Sequence, residues 1–411
     1  MTKNKKKITG AFLGTIVEYY DYSLYGFSAG ILADKFFTGT DRVASLLYVF
    51  GIYALAYVAK PVGSIFFSRI GDKYGRRLSL KITMIGIAIP TLIIGILPEY
   101  HLVGSITTLI LILCRFFQGF FAAGEYDGAA IYIIEHIDRK YHYTASSLTR
   151  CAGVVGLLLG IASTNLFNSS IFPEWGWRIP FLLSLPLAMV TLYYRKFLEE
   201  TPIFIESKIK EMEFFSLIDF IKKQFYVLLL IVILAGGFGA TYQITIIFMK
   251  QYLPIVIPSA GTIINAFSVM IVIVFGLAMP IAGLLADRFG KSLVIKLSLL
   301  ITLISCGLLI TAINYQLLNL ALISCITLSI AIAPFNALAH GVIIKAFKAN
   351  ERYRGISLGH NTGSLLMSGT ANYVCLYFMK NYEFNLFPIL YVAFFAITSF
   401  VVMELFNKYE K

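Results

Sequence analysis

The sequence predicts an all-α integral membrane protein with twelve transmembrane helices in two six-helix, pseudo-symmetric lobes. Three observations support this fold class. The 411-residue chain is 58% hydrophobic and only 14% charged, with a mean hydropathy of +0.79, whereas soluble domains carry about 25% charged residues. Apolar segments of about 20 residues, the length that crosses a bilayer as a helix, recur about a dozen times. A basic loop also occurs once in each half of the chain.

Each predicted span is an apolar run bounded by charged or turn-forming residues. A closed β-barrel is excluded, because its strands would appear as segments of about ten residues with alternating hydrophobicity. The spans are predicted at 8–32, 43–67, 78–98, 105–134, 144–168, 176–198, 225–249, 260–284, 292–313, 316–341, 355–379 and 385–406.

The longest polar segment lies between the sixth and seventh spans and carries charges of both signs. It divides the spans six and six, and its second half is suited to lie on the membrane surface as an amphipathic helix. We therefore predict an N-terminal lobe of residues 1–198, a cytoplasmic central linker of residues 199–224 and a C-terminal lobe of residues 225–411.

The net charge of +12 reflects membrane topology and does not indicate nucleic-acid binding. With the N-terminus inside, most of the 34 Lys and Arg residues fall in cytoplasmic segments, as the positive-inside rule requires. We therefore predict that both termini are cytoplasmic. The external loops hold five basic residues: Lys35, Arg42, Arg178, Lys250 and Lys380.

Two basic loops form an internal repeat, SRIGDKYGRRLSL (68–80) and GLLADRFGKSLVI (283–295). Their aspartates lie 215 residues apart, about half the chain, which is typical of a two-lobed transporter. The glycines permit a tight turn, and we expect each aspartate to accept hydrogen bonds from N–H groups at the start of the next helix. The predicted gating residues are Asp72, Gly75, Arg76, Arg77, Asp287, Arg288, Gly290 and Lys291.

The repeated loops resemble the signature loop of the major facilitator superfamily, and RFFQG (115–119) resembles its fourth-helix motif. Further stretches resemble the metabolite:proton symporters of that superfamily, whose substrates include proline, betaine, alpha-ketoglutarate, citrate and shikimate. These stretches are GTIVEYYDYSLYG (14–26), AAGEYDGAAIYIIEH (122–136), EWGWRIPFLLSLPL (174–187), FLEETPIF (197–204) and RYRGISLGHNTG (352–363).

The resemblance covers nearly the whole chain and implies a monomeric symporter of a bacterial inner membrane. Protons would carry a small metabolite inward as the two lobes rock, with no cofactor besides the coupling proton. GEYDGA (124–129) is most similar to the proline/betaine branch, which implies a zwitterionic osmolyte. Two cations within the spans also suit a di- or tricarboxylate or a keto acid. A facilitator or exchanger without proton coupling is the remaining transport alternative.

Acidic residues within the spans are the predicted proton-coupling groups, Glu18, Asp21 and Glu125. A charge at the bilayer centre costs at least about 2.5 kcal/mol, so such residues normally face a cavity. Glu18 lies about ten residues into its span, roughly 15 Å from the start and near the midplane. Asp21 lies about one turn further on the same face. The alternative for each is a static partner for a basic residue.

The fourth span carries a polar stripe at helical spacing, which includes Arg115, Gln118 and Glu125 and is expected to face a wet cavity. The Arg115 guanidinium suits a carboxylate, either that of Asp21 or that of a substrate. Lys60 on the second span lies at a depth where it can meet Glu125. The predicted substrate-binding residues are Lys60, Arg115, Gln118, Tyr126, Tyr242 and Asn361.

Three residues depart from the family pattern, namely Asp127, Arg150 and His360. One interpretation of Asp127 and Arg150 is that they have exchanged partners with each other. The other is that the Arg150 side chain reaches toward the inner membrane interface. The chain shows no nucleotide-binding loop and no nucleophile–base pairing, and its five cysteines lack metal-ligand spacing. We therefore predict a transporter, not an enzyme, without a metal ion. A membrane sensor is disfavoured, because no soluble signalling domain is evident.

Overall fold

The computed structural model describes residues 3–37, 42–209 and 217–409, and every element within these ranges is helical. The central part of the predicted linker, 210–216, lies outside the described residues, as do both chain ends. The α-helices are α1 (Lys3–Phe27), α2 (Ala29–Phe36), α3 (Arg42–Lys73), α4 (Arg76–Ile96), α5 (Tyr100–Val103), α6 (Ser105–Glu135), α7 (His142–Phe167), α8 (Ile179–Arg195), α9 (Pro202–Ile209), α10 (Leu217–Lys223), α11 (Phe225–Tyr242), α12 (Met249–Val256), α13 (Ile264–Phe289), α14 (Lys291–Asn314), α15 (Leu318–Ile343), α16 (Arg352–Gly363), α17 (Ala371–Tyr382) and α18 (Phe387–Leu405).

Shorter helical segments continue or connect these helices. Two π-helical segments, Gln243–Phe248 and Ser364–Ser368, follow α11 and α16. The 3-10 helices are Arg139–Tyr141, Glu174–Arg178, Pro258–Thr262, Ile344–Ala346 and Phe406–Tyr409.

Within the described ranges, ten helical segments are long and apolar enough to cross a membrane. They correspond to the predicted second to tenth spans and the twelfth. The first predicted span corresponds to α1 and α2, where Glu18 and Asp21 reduce the hydropathy. The eleventh corresponds to α16 and α17, which the π-helical segment separates. Helices α3 and α6 extend beyond the predicted spans to Lys73 and Glu135, because helical backbone can continue past the end of an apolar segment into polar residues.

The chain forms two compact units, of which the first combines Met1–His136, Ala152–Met212 and Ala349–Leu358. Helix α6 packs against α3 and α4 in this unit, and α8 packs against α1 and α4. Gly119 allows a close approach of α6 to α3, since a Cβ atom there would lie 2.2 Å from the Ala56 carbonyl oxygen. One apolar cluster of the unit is centred on Leu24, Leu32, Phe36, Leu111 and Phe181.

The second unit combines Ile137–Cys151, Glu213–Lys348 and Gly359–Lys411. Helix α15 packs against α13 and α14, and α11 packs against α18. The start of α7 also belongs to this unit, where the Ser146 hydroxyl donates to the Ala337 carbonyl at 2.6 Å. Each unit therefore includes a short segment from the other sequence half, and the division into lobes 1–198 and 225–411 stays a prediction.

Candidate functional site

A small cavity within the first unit brings together four of the predicted site residues. Glu18 and Asp21 reach it from α1, and Arg115 and Gln118 reach it from α6. The rest of its lining consists of Tyr22, Ala56, Ile87, Gly119 and Ala122. Arg115 and Gln118 of the predicted polar stripe therefore face a cavity, whereas Glu125 of the same stripe does not line it.

Arg115 is fully buried, yet part of its guanidinium has no hydrogen-bond acceptor among the described residues. Its Nη1 donates to Oε1 of Gln118 at 2.8 Å, and its guanidinium carbon lies 4.2 Å from the centre of the Tyr25 ring. Nε and Nη2 make no hydrogen bond to any described residue. These two groups form the side-on edge of a guanidinium, which can hold a carboxylate through two parallel hydrogen bonds.

Asp21 is buried among neutral hydrogen-bond donors. Its Oδ2 accepts from the Ser184 hydroxyl at 2.9 Å and lies 3.3 Å from the Thr91 hydroxyl, whose single proton the Ile87 carbonyl can also accept at 3.0 Å. Thr91 in turn accepts from Nε2 of Gln118 at 2.7 Å. Asp21, one of the two carboxylates considered as the partner of Arg115, is therefore connected to it through Gln118 and Thr91. Oδ1 of Asp21 has no hydrogen-bond partner in the described part of the chain.

Glu18 and Lys60 are two further charged residues of this unit, and they interact electrostatically. The carboxylate of Glu18 is attracted by Lys60 and repelled by Glu125 and Asp127. Lys60 is half-buried, and its ammonium group lies 5.2 Å from the centre of each of two rings, those of Tyr22 and Tyr57. Lys60 therefore lies against two aromatic rings, and its charge attracts the Glu18 carboxylate.

Glu125 is paired with a cation that the sequence interpretation missed. Arg195 contacts Oε1 of Glu125 through Nη2, and its Nη1 donates to Oε2 at 3.0 Å. The Thr83 hydroxyl donates to the same Oε2 at 2.6 Å. The sequence analysis named Lys60 as a cation able to meet Glu125 and did not single out Arg195. The signal that could have identified Arg195 is its place at the end of the apolar run of α8, before the polar linker begins.

The remaining predicted positions are divided between the two units. Tyr126 is buried in the first unit, with its ring edge-on to Tyr19 at 5.8 Å. Tyr242 and Asn361 lie in the second unit, where the Tyr242 ring is 5.5 Å from that of Phe275.

The three departures from the family pattern are assigned to both units. Asp127 is buried in the first unit, whereas Arg150 and His360 belong to the second. The Arg150 guanidinium lies 4.7 Å from the Phe238 ring centre, and the rings of His360 and His340 lie 5.5 Å apart. The roles of these residues stay unassigned.

Both signature-loop aspartates accept hydrogen bonds from a helix start, but not from that of the next helix. Oδ2 of Asp72 accepts from the backbone N–H of Arg354 at 3.0 Å, in the first turn of α16. The oxygens of Asp287 accept from the backbone N–H groups of Tyr143 at 3.1 Å and Thr144 at 2.8 Å, at the start of α7. The expectation that each aspartate caps the following helix is therefore wrong.

Glu200 takes the capping role expected of Asp72. Its two carboxylate oxygens accept from the backbone N–H groups of Arg76 at 2.8 Å and Arg77 at 3.3 Å, at the start of α4. A carboxylate at a helix N-terminus satisfies free N–H groups and interacts favourably with the helix dipole. Sequence spacing did not indicate it, because Glu200 lies more than 120 residues from the helix that it caps.

A buried ionic network lies beside this loop. The Arg76 Nε lies 3.4 Å from Oε2 of Glu135, and Nη1 of Arg352 lies 2.7 Å from Oε1. The Thr201 hydroxyl also donates to Glu135 at 2.6 Å. Of the other predicted gating residues, Arg77 and Arg288 are exposed, and Lys291 is buried.

The chain belongs to the Major Facilitator Superfamily, whose family model matches residues 11–365. Together with the apolar helices, this makes the chain a multi-pass inner-membrane transporter and not an enzyme. The predicted all-α fold with twelve membrane helices in two lobes is thereby confirmed.

Individual known proteins are similar to this chain over nearly its whole length. A proline/betaine transporter of Salmonella typhimurium is 30% identical over 417 residues, which cover 97% of this chain and 82% of that protein. A glycine betaine/proline/ectoine/pipecolic acid transporter of Dickeya dadantii is 29% identical, covering 98% of this chain and 84% of that one. The structure of the proton:xylose symporter XylE has a TM-score of 0.81 at 17% identity, covering 97% of this chain and 95% of that one. The last comparison supports the fold alone.

Proposed function

We propose that the chain takes up a small zwitterionic osmolyte, such as proline or glycine betaine, by proton symport, with both termini in the cytoplasm. One observation carries this proposal. The cavity of the first unit places the unpaired guanidinium edge of Arg115 beside two buried carboxyl groups, those of Asp21 and Glu18. The names of the two relatives support the choice of substrate.

Arg115 is the proposed anchor for the substrate carboxylate. A buried guanidinium with two unused N–H groups is costly unless an anion pairs with it. A carboxylate that accepts from Nε and Nη2 would satisfy both groups at once. Amino acids and betaines each supply one such carboxylate.

Asp21 is the proposed site of proton exchange. Glu125 is neutralised by Arg195, and Glu18 is attracted by Lys60. The hydrogen-bond partners of Asp21 are instead the hydroxyl groups of Ser184 and Thr91. With only neutral hydrogen-bond partners among the described residues, Asp21 is the carboxyl group that most readily takes up a proton at low dielectric.

Pairing of Arg115 with the substrate then couples the proton to the substrate. Before substrate binds, the charge of Arg115 is balanced through Gln118 and Thr91 by ionised Asp21. When a substrate carboxylate pairs with Arg115, the guanidinium charge stabilises ionised Asp21 less, so Asp21 takes up a proton more readily. Substrate and proton therefore favour each other's binding, and by thermodynamic linkage the coupling is reciprocal.

A substrate with more than one carboxylate is the second candidate. Lys60 and Arg115 both lie close to the Tyr22 ring, so two cations are available within the first unit. A dicarboxylate, a tricarboxylate or a keto acid would place its additional anionic or polar group toward Lys60.

Uptake into proteoliposomes tests these alternatives. Labelled proline, glycine betaine, alpha-ketoglutarate, citrate and shikimate would each be offered with an inward proton gradient and again after an ionophore has collapsed it. We expect proline or glycine betaine to accumulate only with the gradient, and empty liposomes provide the background. Accumulation of a carboxylate alone would favour the second candidate. Equal uptake without the gradient would contradict symport.

A further inference from the structure

Four tyrosines of α1 and α3 form one aromatic cluster in the first unit. Tyr22 and Tyr53 have ring centres 5.2 Å apart, Tyr22 and Tyr57 are 6.0 Å apart, and Tyr25 and Tyr53 are 6.1 Å apart. Tyr22 and Tyr25 lie on α1, and Tyr53 and Tyr57 lie one turn apart on α3. The cluster reaches the cavity through Tyr22.

Tyr22 lies close to both cations of this region. The Lys60 ammonium is 5.2 Å from its centre and the Arg115 guanidinium carbon is 5.7 Å from it. Lys60 is equally close to the Tyr57 ring, at 5.2 Å. A cation within about 6 Å of a tyrosine ring is attracted by the negative potential of the ring. The faces of Tyr22 and Tyr57 thus form a position that already holds a positive charge.

We propose that the rings of Tyr22 and Tyr57 are the subsite for the ammonium group of a zwitterionic substrate, and that Lys60 competes with the substrate for this subsite. The inference rests on the proposed function and extends it, because it assigns the cationic half of the substrate. A quaternary ammonium has no N–H group to donate, so ring faces are the chemistry that can recognise it. A secondary ammonium can use the same faces.

The position of the subsite suits a molecule whose two charges are close together. In an amino acid or a glycine betaine, one carbon atom separates the carboxylate from the charged nitrogen. With the carboxylate held by Arg115, the ammonium group lies toward Tyr22, the ring that both protein cations approach. One small zwitterion can therefore occupy both positions.

Lys60 is suited to leave the subsite. A lysine ammonium sits on a flexible four-carbon stem, in contrast to the rigid fork of an arginine. The attraction between Lys60 and Glu18 gives the displaced ammonium a nearby counter-charge within the same unit. Competition of this kind selects for a cationic group and against a neutral group of the same shape.

Ligand competition against labelled glycine betaine tests the subsite on the purified full-length protein. The probes are unlabelled glycine betaine and 3,3-dimethylbutyrate, in which a neutral carbon replaces the charged nitrogen at almost unchanged shape. We expect Lys60→Met to bind betaine severalfold more tightly. Tyr57→Leu should reduce the preference for betaine over its neutral analogue about three- to tenfold, whereas Tyr57→Phe should retain it.

The control is an exposed lysine–tyrosine pair of similar geometry. The Lys140 ammonium lies 4.7 Å from the centre of the Tyr141 ring, and both side chains are exposed. Lys140→Met and Tyr141→Leu should leave both affinities unchanged. Weaker betaine binding by Lys60→Met would overturn the inference, since Lys60 would then hold the substrate itself. An unchanged preference in folded Tyr57→Leu would also overturn it.

Two further outcomes distinguish a failure of the inference from a failure of the proposed function. If wild-type protein neither binds nor accumulates any zwitterion, the proposed function fails and the subsite with it. If zwitterion uptake is intact but Lys60→Met binds betaine less tightly, only the subsite is wrong. If the Tyr57→Leu variant does not fold, the Lys60→Met variant alone tests the subsite, because it leaves all four tyrosine rings in place.

Discussion

The carboxylate of Glu125 lies against the guanidinium of Arg195, and neither side chain is exposed. Glu125 belongs to α6 and Arg195 ends α8. The guanidinium also donates to the Leu80 carbonyl of α4 and to the Gly10 carbonyl of α1, the latter at 3.4 Å. One arginine therefore joins four helices of the first unit, with Glu125 as the acid that it contacts directly.

Removal of either member of this pair should destabilise the first unit. An unpaired buried charge costs about 3–5 kcal/mol, much more than the loss of an exposed ion pair. We expect Arg195→Met and Glu125→Gln each to lower the unfolding temperature strongly in detergent. The double variant should be less destabilised than the sum of the two, because it leaves no unpaired charge.

The neighbouring cation provides the control. Lys196 follows Arg195 in the chain and is exposed, so Lys196→Met should change the unfolding temperature little. Additive effects in the double variant would show that the two side chains do not depend on each other. The proton-coupling role predicted for Glu125 would then regain support, since Glu125 would be free of a fixed partner.

Asp21→Asn should uncouple transport from the proton gradient. The amide cannot exchange a proton, but it can still accept from Ser184 and Thr91, so the cavity should keep its shape. We expect the accumulation ratio of the substrate to fall to about one, while exchange of labelled for unlabelled substrate without a gradient continues. Exchange should also lose its pH dependence across the range in which wild-type exchange varies.

Glu18→Gln is the matched comparison, because Glu18 lies in the same cavity and on the same helix. We expect it to weaken transport without removing the response to the gradient. The reverse result, coupled Asp21→Asn and uncoupled Glu18→Gln, would assign proton exchange to Glu18.

Gln118→Leu should reduce coupling more than it reduces substrate exchange. The amide accepts from Arg115 and donates to Thr91, so leucine of similar size interrupts the chain between Arg115 and Asp21. A single lost hydrogen bond is worth about 1 kcal/mol, or roughly a fivefold change in an equilibrium. We expect the accumulation ratio to fall severalfold while gradient-free exchange changes about twofold.

Thr91 offers two variants that check the same chain. Thr91→Ser keeps the hydroxyl group and should behave as wild type, whereas Thr91→Val removes it and should reproduce the effect of Gln118→Leu. The chain would have no role in coupling if both threonine variants retained wild-type accumulation ratios.

The sequence predicted the membrane helices and one face of the site for a clear physical reason. The 3.6-residue period places Arg115, Gln118 and Glu125 on one stripe, and the cost of buried charge indicates that this stripe faces a cavity. Two of these three residues do line the cavity, together with Glu18 and Asp21. Both properties are local, since they depend on neighbours within one helix.

Partners across helices were the part that the sequence did not predict. Glu125 was given Lys60 and is paired with Arg195, 70 residues further along the chain. The acceptor at the start of α4 was expected to be Asp72 and is Glu200. Periodicity fixes the face of each helix but not which helix lies opposite, so several cations or acids at a similar depth are equivalent candidates until the packing is known.

Gly75→Ala should destabilise the protein more than Gly290→Ala, although both glycines occupy the same place in repeated loops. Gly75 has a φ of 106° and Gly290 a φ of 88°, in a region that is essentially restricted to glycine. Alanine should therefore cost about 1–3 kcal/mol at either position. At Gly75, however, a Cβ atom would lie 2.1 Å from Oε2 of Glu200, whereas at Gly290 it would meet nothing within 4 Å.

The difference between the two variants should depend on Glu200, because that carboxylate caps the backbone N–H groups of Arg76 and Arg77. A methyl group at position 75 would displace the cap as well as strain the turn. Thermal unfolding in detergent would measure both effects. In a Glu200→Ala background the cap and the clash are both gone, so Gly75→Ala should cost no more than Gly290→Ala. A larger cost of Gly75→Ala that persists without Glu200 would mean that the turn itself, and not its contact with the cap, sets the requirement for glycine.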